Sequence, residues 1–288
     1  MDDEVVATSS ELPLPEDFLH FLNRNGLDPS IYVASHSTPR YIRLKPGCEA
    51  QLPEIEAEIK CKLNEVGWLP NFYYLPPEVR IASTKAYQEG KIYGIDAASG
   101  AAVVALDISQ GDHVLDLCAA PGNGEMEENL EIYKEWTARR PWKERKRMAK
   151  AMENIDSMMS KQIQDPELIF YGRHSGVVGL SKHNVFRTFD DVEISQSGYD
   201  KLKLLTNGFR LLKAGGSLVY STCSLTVAQN EDIVEQFLSR HVSAELLEIE
   251  AAKNWPCRQA RIPKTLRFDP LTSSTSGLFV AKFTKLDI

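Results

Sequence analysis

Several absences narrow the reading before any motif is considered. No stretch approaches the ~20 consecutive apolar residues that a membrane helix needs. Cysteine is scarce: Cys48, Cys61, Cys118, Cys223 and Cys257 are the only five in 288 residues. Their number is odd, their spacing is wide and none forms a Cys-x-x-Cys pair, so neither a disulfide framework nor a metal site is expected. The chain opens Met1-Asp2-Asp3-Glu4 and shows no basic-then-apolar leader, which leads to the expectation of a soluble, intracellular protein without membrane contact. An excess of positive charge is also missing. The formal net charge is −7, which does not by itself favour a nucleic-acid partner. Charge is unevenly placed, however: Lys134 to Lys150 and the surroundings of Arg258–Arg267 are basic. Phosphate contacts are local, so the whole-chain balance does not exclude RNA.

What is present is ordinary globular material. Hydrophobic residues make up 43% and charged residues 25% of the chain, enough apolar content to bury a core. The length suits one larger domain plus a small one. A short amphipathic stretch surrounds Phe18, Leu19, Phe21 and Leu22. Pro39 to Lys45 alternates polar and apolar, which predicts a strand. Leu52, Ile55, Ile59 and Leu63 recur at helical spacing, with Gly67 as the expected stop. Asp96 to Leu106 reads as an apolar, small-residue helix, and Gly111 to Cys118 as a short buried strand.

The stretch after residue 124 changes character. Glu125 to Ile163 is charged, with a helical pattern. Its Trp136, Arg139, Arg140 and Trp142 mix aromatics with positive charge as single-strand binders do, although a solvated charged helix is the commoner meaning of such a run. Glu167 to Tyr171 is a candidate strand, and Tyr171 to Leu180 reads as a Gly-rich loop. Order returns at Tyr199. Leu202 to Leu212 predicts a helix, Leu218 to Cys223 a buried strand, and Asn230 to Leu238 a helix with Glu231 and Asp232 in its dipole-favoured first turn. Leu266–Phe268 and Gly277–Phe283 are two further strand candidates, expected to form a terminal hairpin.

Two segments carry chemistry. In Asp116-Leu-Cys-Ala-Ala-Pro-Gly122 a strand ends in an acid and a turn follows. Pro121 restricts that turn, and Gly122 lets the backbone approach a ligand without a side chain in the way. Such an edge, at the carboxyl end of a parallel strand, is where open α/β sheets bind nucleotides. In Leu218-Val-Tyr-Ser-Thr-Cys-Ser224, followed by Asn230-Glu231, a cysteine stands at the end of a buried strand. Taken alone, Cys223 would be read as a core thiol, the commonest fate of a free cysteine.

Together the segments resemble the RsmB/Nop/Sun family of RNA 5-methylcytosine methyltransferases. The resemblance covers Ile92–Gly122 and Asn207–Phe283, including Leu266-Arg-Phe-Asp-Pro270 and Ser276-Gly-Leu-Phe-Val-Ala-Lys282, and more weakly Thr38–Lys45. It implies an α/β fold with a Rossmann-like class I methyltransferase sheet. It also implies a small N-terminal α+β subdomain that binds RNA, placed at residues 1–75, with the methyltransferase domain at 76–288. S-adenosyl-L-methionine is the implied cofactor, held by Asp116, Cys118, Ala119, Ala120, Pro121, Gly122 and Gly124. RNA, ribosomal or transfer, is the implied partner, in the nucleus, nucleolus or cytoplasm. The Thr-Cys motif carries the family nucleophile over to Cys223.

The chain also departs from the family. Asn123-Gly124-Glu125 follows Gly122, so an acid stands where the family has a lysine. The acid that holds the ribose hydroxyls has no counterpart, and the Asp-x-x-Cys motif is missing. Ser197 to Lys201 reads as the lead-in to that lost strand, and residues 123–198 as a divergent insert. These gaps predict an incomplete sheet and impaired activity. The alternative is a non-catalytic RNA-binding or regulatory protein derived from the family.

Overall fold

The structure, a computed structural model, describes residues 14, 16–31, 38–117, 168–174 and 191–288. It begins with helix α1 (Glu16–Arg24), whose Phe18, Phe21 and Leu22 are buried. Four antiparallel strands follow: β1 (Arg40–Leu44), β2 (Asn64–Glu65), β3 (Phe72–Leu75) and β4 (Ile92–Gly94). They lie in the order β2-β3-β1-β4. Strand β1 is central, with Ile42 opposite Tyr73 on one side and Gly94 on the other. The small sheet therefore takes its fourth strand from residues beyond 75.

Helix α2 (Leu52–Ile59) lays Ile55 and Ile59 against Ile42, Leu44, Leu75 and Ile92. The periodicity carries this helix to Leu63 and its stop to Gly67. The chain instead leaves the helix at Lys60, which is left-handed with φ 57°. Glu56 holds the fold-back by accepting the Leu63 amide at 2.8 Å. Leu63 thus reaches the same core from outside the helix. After the short helix α3 (Lys85–Gln88), capped by the Thr84 hydroxyl, β4 closes this unit.

Helix α4 (Ala97–Val104) joins the small sheet to the large one. Asp96 caps it, accepting the Ala98 amide. Ala97 through Ala102 are all buried, and the small side chains let both neighbours approach closely. Gly100 is the extreme case: a Cβ there would stand 2.2 Å from Cζ of Phe72. The opposite side of α4 packs against Val219 and Val280.

The large sheet has the order β5-β6-β7-β11-β10-β9, with β8 also on β11. Strands β5 (His113–Asp116), β6 (Leu168–His174) and β7 (Ser217–Thr222) are parallel to one another. Strand β11 (Leu278–Lys285) runs antiparallel to β7. Its other edge holds β10 (Leu266–Phe268) near its start and β8 (Ala244–Leu247) near its end, while β9 (Arg258–Gln259) pairs with β10. The expected terminal hairpin is therefore present. Helices α5 (Asp191–Leu211) and α6 (Glu231–Arg240) cover one face, where Leu202, Leu205 and Phe209 meet Phe237, Leu218 and Tyr220. Val219, between those last two, points to the other face and α4, the alternation a strand imposes. The short helix α7 (Pro270–Ser273) is capped by Asp269. This is the Rossmann-like α/β sheet with a small N-terminal α+β unit.

Two local expectations are corrected. Ser197 to Lys201, read as the approach to a strand, lies inside α5. Lys201 and Leu205, one helical turn apart, are both buried, so the helical repeat simply begins earlier than the apolar residues reveal. Tyr171 to His174, read as loop, is the end of β6. Pairing with β5 on one side and β7 on the other overrides the poor strand propensity of Gly172. Strand β6 thus lies between β5 and β7 in the sheet. Among the described residues no helix is long and apolar enough to cross a membrane.

Candidate active site

Parallel pairing puts the carboxyl ends of β5, β6 and β7 at one edge of the sheet. Asp116 ends β5 in register with Tyr171 of β6, which pairs onward with Val219 of β7. Cys223 follows β7 directly, so the acid of the first segment and the cysteine of the second share one edge. Of the first segment only Asp116 and Leu117 fall among the described residues. Cys118, Ala119, Ala120, Pro121, Gly122 and Gly124 lie outside them, as does the charged run Glu125 to Ile163.

Cys223 is partly exposed, between a buried Thr222 and a buried Ser224. The loop that carries it is held from within. The Thr222 hydroxyl donates to Oδ1 of Asn230 at 2.5 Å, and Nδ2 of Asn230 donates to the Ser224 carbonyl at 2.9 Å. The Ser224 amide donates to the Thr222 hydroxyl at 3.2 Å. Tyr220 reaches along the same loop, its hydroxyl donating to the Gln229 carbonyl at 2.7 Å.

The loop is also held from outside. Arg267, on β10, donates through Nη1 to the Leu225 carbonyl at 3.1 Å. From the N-terminal segment, Oδ1 of Asn25 accepts the Val227 amide at 2.8 Å, and Phe18, Phe21 and Leu22 pack with Leu225. Segments near residues 25, 230 and 267 thus converge on one loop, and several restraints of about 1 kcal/mol each fix its path.

The other described cysteines stand elsewhere. Cys48 and Cys61 border the core of the small sheet. Cys257 packs beside Val219 and Trp255, and burial pushes its thiol above the ordinary value. Among the described residues no group of His, Cys, Asp and Glu is arranged to hold a metal ion. Sequence reasoning passed over Lys201. It is fully buried on α5, and its Nζ donates to Oε1 of Gln229 at 2.9 Å. The available signal was a lysine one helical turn before Leu205 on the apolar stripe.

Residues 174–284 match the family model of the 16S rRNA methyltransferase RsmB/F. The match takes in Thr222-Cys223, Asn230-Glu231 and Leu266-Arg-Phe-Asp-Pro270, and begins after the Asp116–Gly122 segment. The chain is 30% identical over 200 residues to the probable ribosomal RNA small subunit methyltransferase B of Coxiella burnetii, an alignment covering 62% of this chain and 46% of that protein. It is 24% identical over 314 residues to the tRNA (cytosine(49)-C(5))-methyltransferase of Pyrococcus abyssi, covering 99% and 96% respectively. The chain thus spans about half the length of the bacterial relative and nearly all of the archaeal one. Among solved structures, a methyltransferase homolog protein from Pyrococcus horikoshii superposes with a TM-score of 0.63 at 22% identity, covering 95% of this chain and 100% of that one. NSun6 from the same organism, solved with SFG, gives 0.67 at 16% identity and covers 95% and 97%. These likenesses show the fold.

Within the RsmB/F stretch, motifs far apart in the chain meet physically: Glu231 and Arg267 form one ion pair, and Asn230 closes on Thr222. The strand bordering β7 reads Leu168-Ile-Phe-Tyr-Gly-Arg-His174 and contains neither Asp nor Cys.

Proposed function

We propose that this chain has the framework of an S-adenosylmethionine-dependent RNA cytosine-5 methyltransferase acting on ribosomal or transfer RNA. Cys223 is its nucleophile, and Asp116, Cys118, Ala119, Ala120, Pro121, Gly122 and Gly124 form its methyl-donor edge. The observation that carries the reading is the position of Cys223. It follows a buried parallel strand, is partly exposed, and sits at the edge to which Asp116 also belongs. The rRNA and tRNA substrates named for the relatives support the substrate class. The small sheet, with its boundary moved from residue 75 to Gly94, is the RNA-binding unit.

Carbon 5 of cytosine is a poor nucleophile. Addition of the Cys223 thiolate to carbon 6 forms an S–C bond and moves the ring's electron pair toward carbon 5 and ring nitrogen 3. S-adenosylmethionine, when bound, supplies a methyl group on a sulfonium for carbon 5 to take. Loss of the carbon 5 proton then lets the Cys223–carbon 6 bond break and restores the ring. The target base must leave its stack to enter such a site. Asp116 fits the donor, because a carboxylate at the carboxyl end of a parallel strand is a usual ligand-holding position in these sheets.

The ring nitrogen needs an acid during the addition, and such assistance contributes ~10²–10⁴ in rate. No residue of Leu168–His174 is acidic. Impaired activity is therefore part of the proposal. The same observation favours the second reading, a non-catalytic RNA-binding protein derived from the family.

Trapping on RNA containing 5-azacytidine tests the assignment. A covalent adduct is expected from the wild type and none from Cys223→Ala. Equal trapping by both proteins places the nucleophile elsewhere, and no trapping by either favours the RNA-binding reading.

A further inference from the structure

Residues 16–31 precede the small sheet in the chain, yet their apolar side chains pack on the large domain. Phe18, Phe21, Leu22, Leu27 and Ile31 are all buried, and they cluster with Leu225 and the half-buried Ala228. Both of these belong to the loop that follows Cys223. A helix as short as the nine residues of α1 does not persist by itself in water, so α1 depends on packing of this kind.

A polar contact accompanies that packing. Val227–Gln229 form a single 3₁₀ turn, entered from an extended Thr226. The first amide of a helical turn has no partner inside the turn, and the Thr226 side chain makes no capping hydrogen bond. Asn25 supplies the acceptor instead. Its Oδ1 accepts the Val227 amide at 2.8 Å, and its Nδ2 donates to the Phe21 carbonyl of α1 at 2.9 Å. The side chain is thus held at both ends. At the far end of the turn the Asn230 amide donates to the Val227 carbonyl at 3.1 Å. The Asn230 side chain accepts from the Thr222 hydroxyl and donates to the Ser224 carbonyl, and these two residues flank Cys223. A continuous chain of contacts therefore runs from α1 to both neighbours of the thiol.

We infer that Asn25 is a positioning residue for Cys223: the N-terminal segment is a clamp that caps the 3₁₀ turn and so fixes the loop presenting the thiol. Asn25 acts through Val227 and Asn230. Without its cap the Val227 amide turns to water, and the turn opens more often. Cys223 then gains access to solvent and loses the fixed direction that attack on a ring carbon requires. The inference rests on reading Cys223 as the nucleophile.

The test is alkylation of the full chain by iodoacetamide, followed at each cysteine-containing peptide by mass spectrometry. Asn25→Ala should speed alkylation of Cys223 by about fivefold, the effect of one lost hydrogen bond on local opening. Asn25→Asp keeps an acceptor for the Val227 amide and should stay within about twofold of the wild type. Cys61, in the small-sheet unit, should react identically in every variant. An unchanged Cys223 rate in Asn25→Ala overturns the inference, and so does an equal rise at Cys61, which would mean a general loss of stability. If Asn25→Ala fails to fold by circular dichroism, Phe18→Ala replaces it with the same expected and overturning results, since it weakens the same docking from the other end of α1. On RNA containing 5-azacytidine, Asn25→Ala should trap more slowly than the wild type although its thiol is more accessible, and faster trapping overturns the inference. No trapping by the wild type strikes the nucleophile reading itself, and the alkylation rates, measured without RNA, then decide the clamp alone.

Discussion

Arg267 grips Glu231 in a two-bond fork, Nε to Oε1 at 2.8 Å and Nη2 to Oε2 at 2.5 Å, with side chains only 7% and 2% exposed. The pair locks the start of α6 to β10, and through Nη1 it also holds the loop after Cys223. Planar, bidentate geometry is what arginine offers and lysine does not.

Breaking that fork should be costly. Arg267→Ala leaves the Glu231 carboxylate buried and uncompensated, and should destabilise the fold by ~3–5 kcal/mol. The double replacement Arg267→Met with Glu231→Leu should cost clearly less, because no buried charge remains. Urea denaturation of the three proteins measures this. A double variant as unstable as the single one would contradict the electrostatic account.

Gly100 should tolerate no side chain. A Cβ would meet the Phe72 ring at 2.2 Å, between two packed layers that have little room to give. Gly100→Ala should lower stability by ~1–3 kcal/mol, the usual cost of overpacking. Adding Phe72→Leu should recover part of the loss. Thermal melts of the single and double variants decide.

Tyr41 should ionise late. Burial first, then the charge of Asp96 and the neighbouring Tyr74, push its phenol from 10.0 up to about 12. Its hydroxyl donates to the Ser274 carbonyl at 3.0 Å. Between those two pH values the unfolded chain has released this proton and the folded chain has not. Stability from this group is therefore complete below pH 10 and declines as pH rises toward 12. Ultraviolet titration should show late-ionising tyrosine absorbance that Tyr41→Phe reduces, and the same substitution should flatten the alkaline limb of the stability profile. Simultaneous ionisation of all tyrosines would be evidence against it.

Affinity for S-adenosylmethionine should be weak. The sequence keeps Pro121 and Gly122, but Glu125 stands where the resemblance leads one to expect a lysine, and no acid for the ribose is evident in the sequence. Each unmatched buried polar group costs ~1–3 kcal/mol. Calorimetry should find binding weaker than low micromolar, and tighter binding would refute this.

Much of this protein was legible in the chain alone, and the reason is periodicity. Ser217–Thr222 and Leu278–Lys285 are short apolar runs flanked by glycine, and such runs become buried strands wherever the sheet forms. Asp96 announces the start of α4, because a short acid before an apolar run satisfies free amides locally. The Thr-Cys motif and its distant companions Asn230-Glu231 and Leu266-Arg-Phe-Asp-Pro270 could be recognised as strings. Why they belong together could not. Only tertiary structure sets Arg267 on Glu231 and Asn25 on Val227, since contacts across 36 and 202 residues leave no local pattern. The same holds for the end of β6, Gly172 to His174, which reads as loop until β7 pairs with it. It holds too for Lys201: on paper an ordinary polar residue at a helix entrance, in the fold a buried ammonium hydrogen-bonded to Gln229. Local sequence determined which elements form, because backbone geometry and burial period act over a few residues. Packing decided which charges lose water and which groups then compensate them, because desolvation is a property of the whole surroundings.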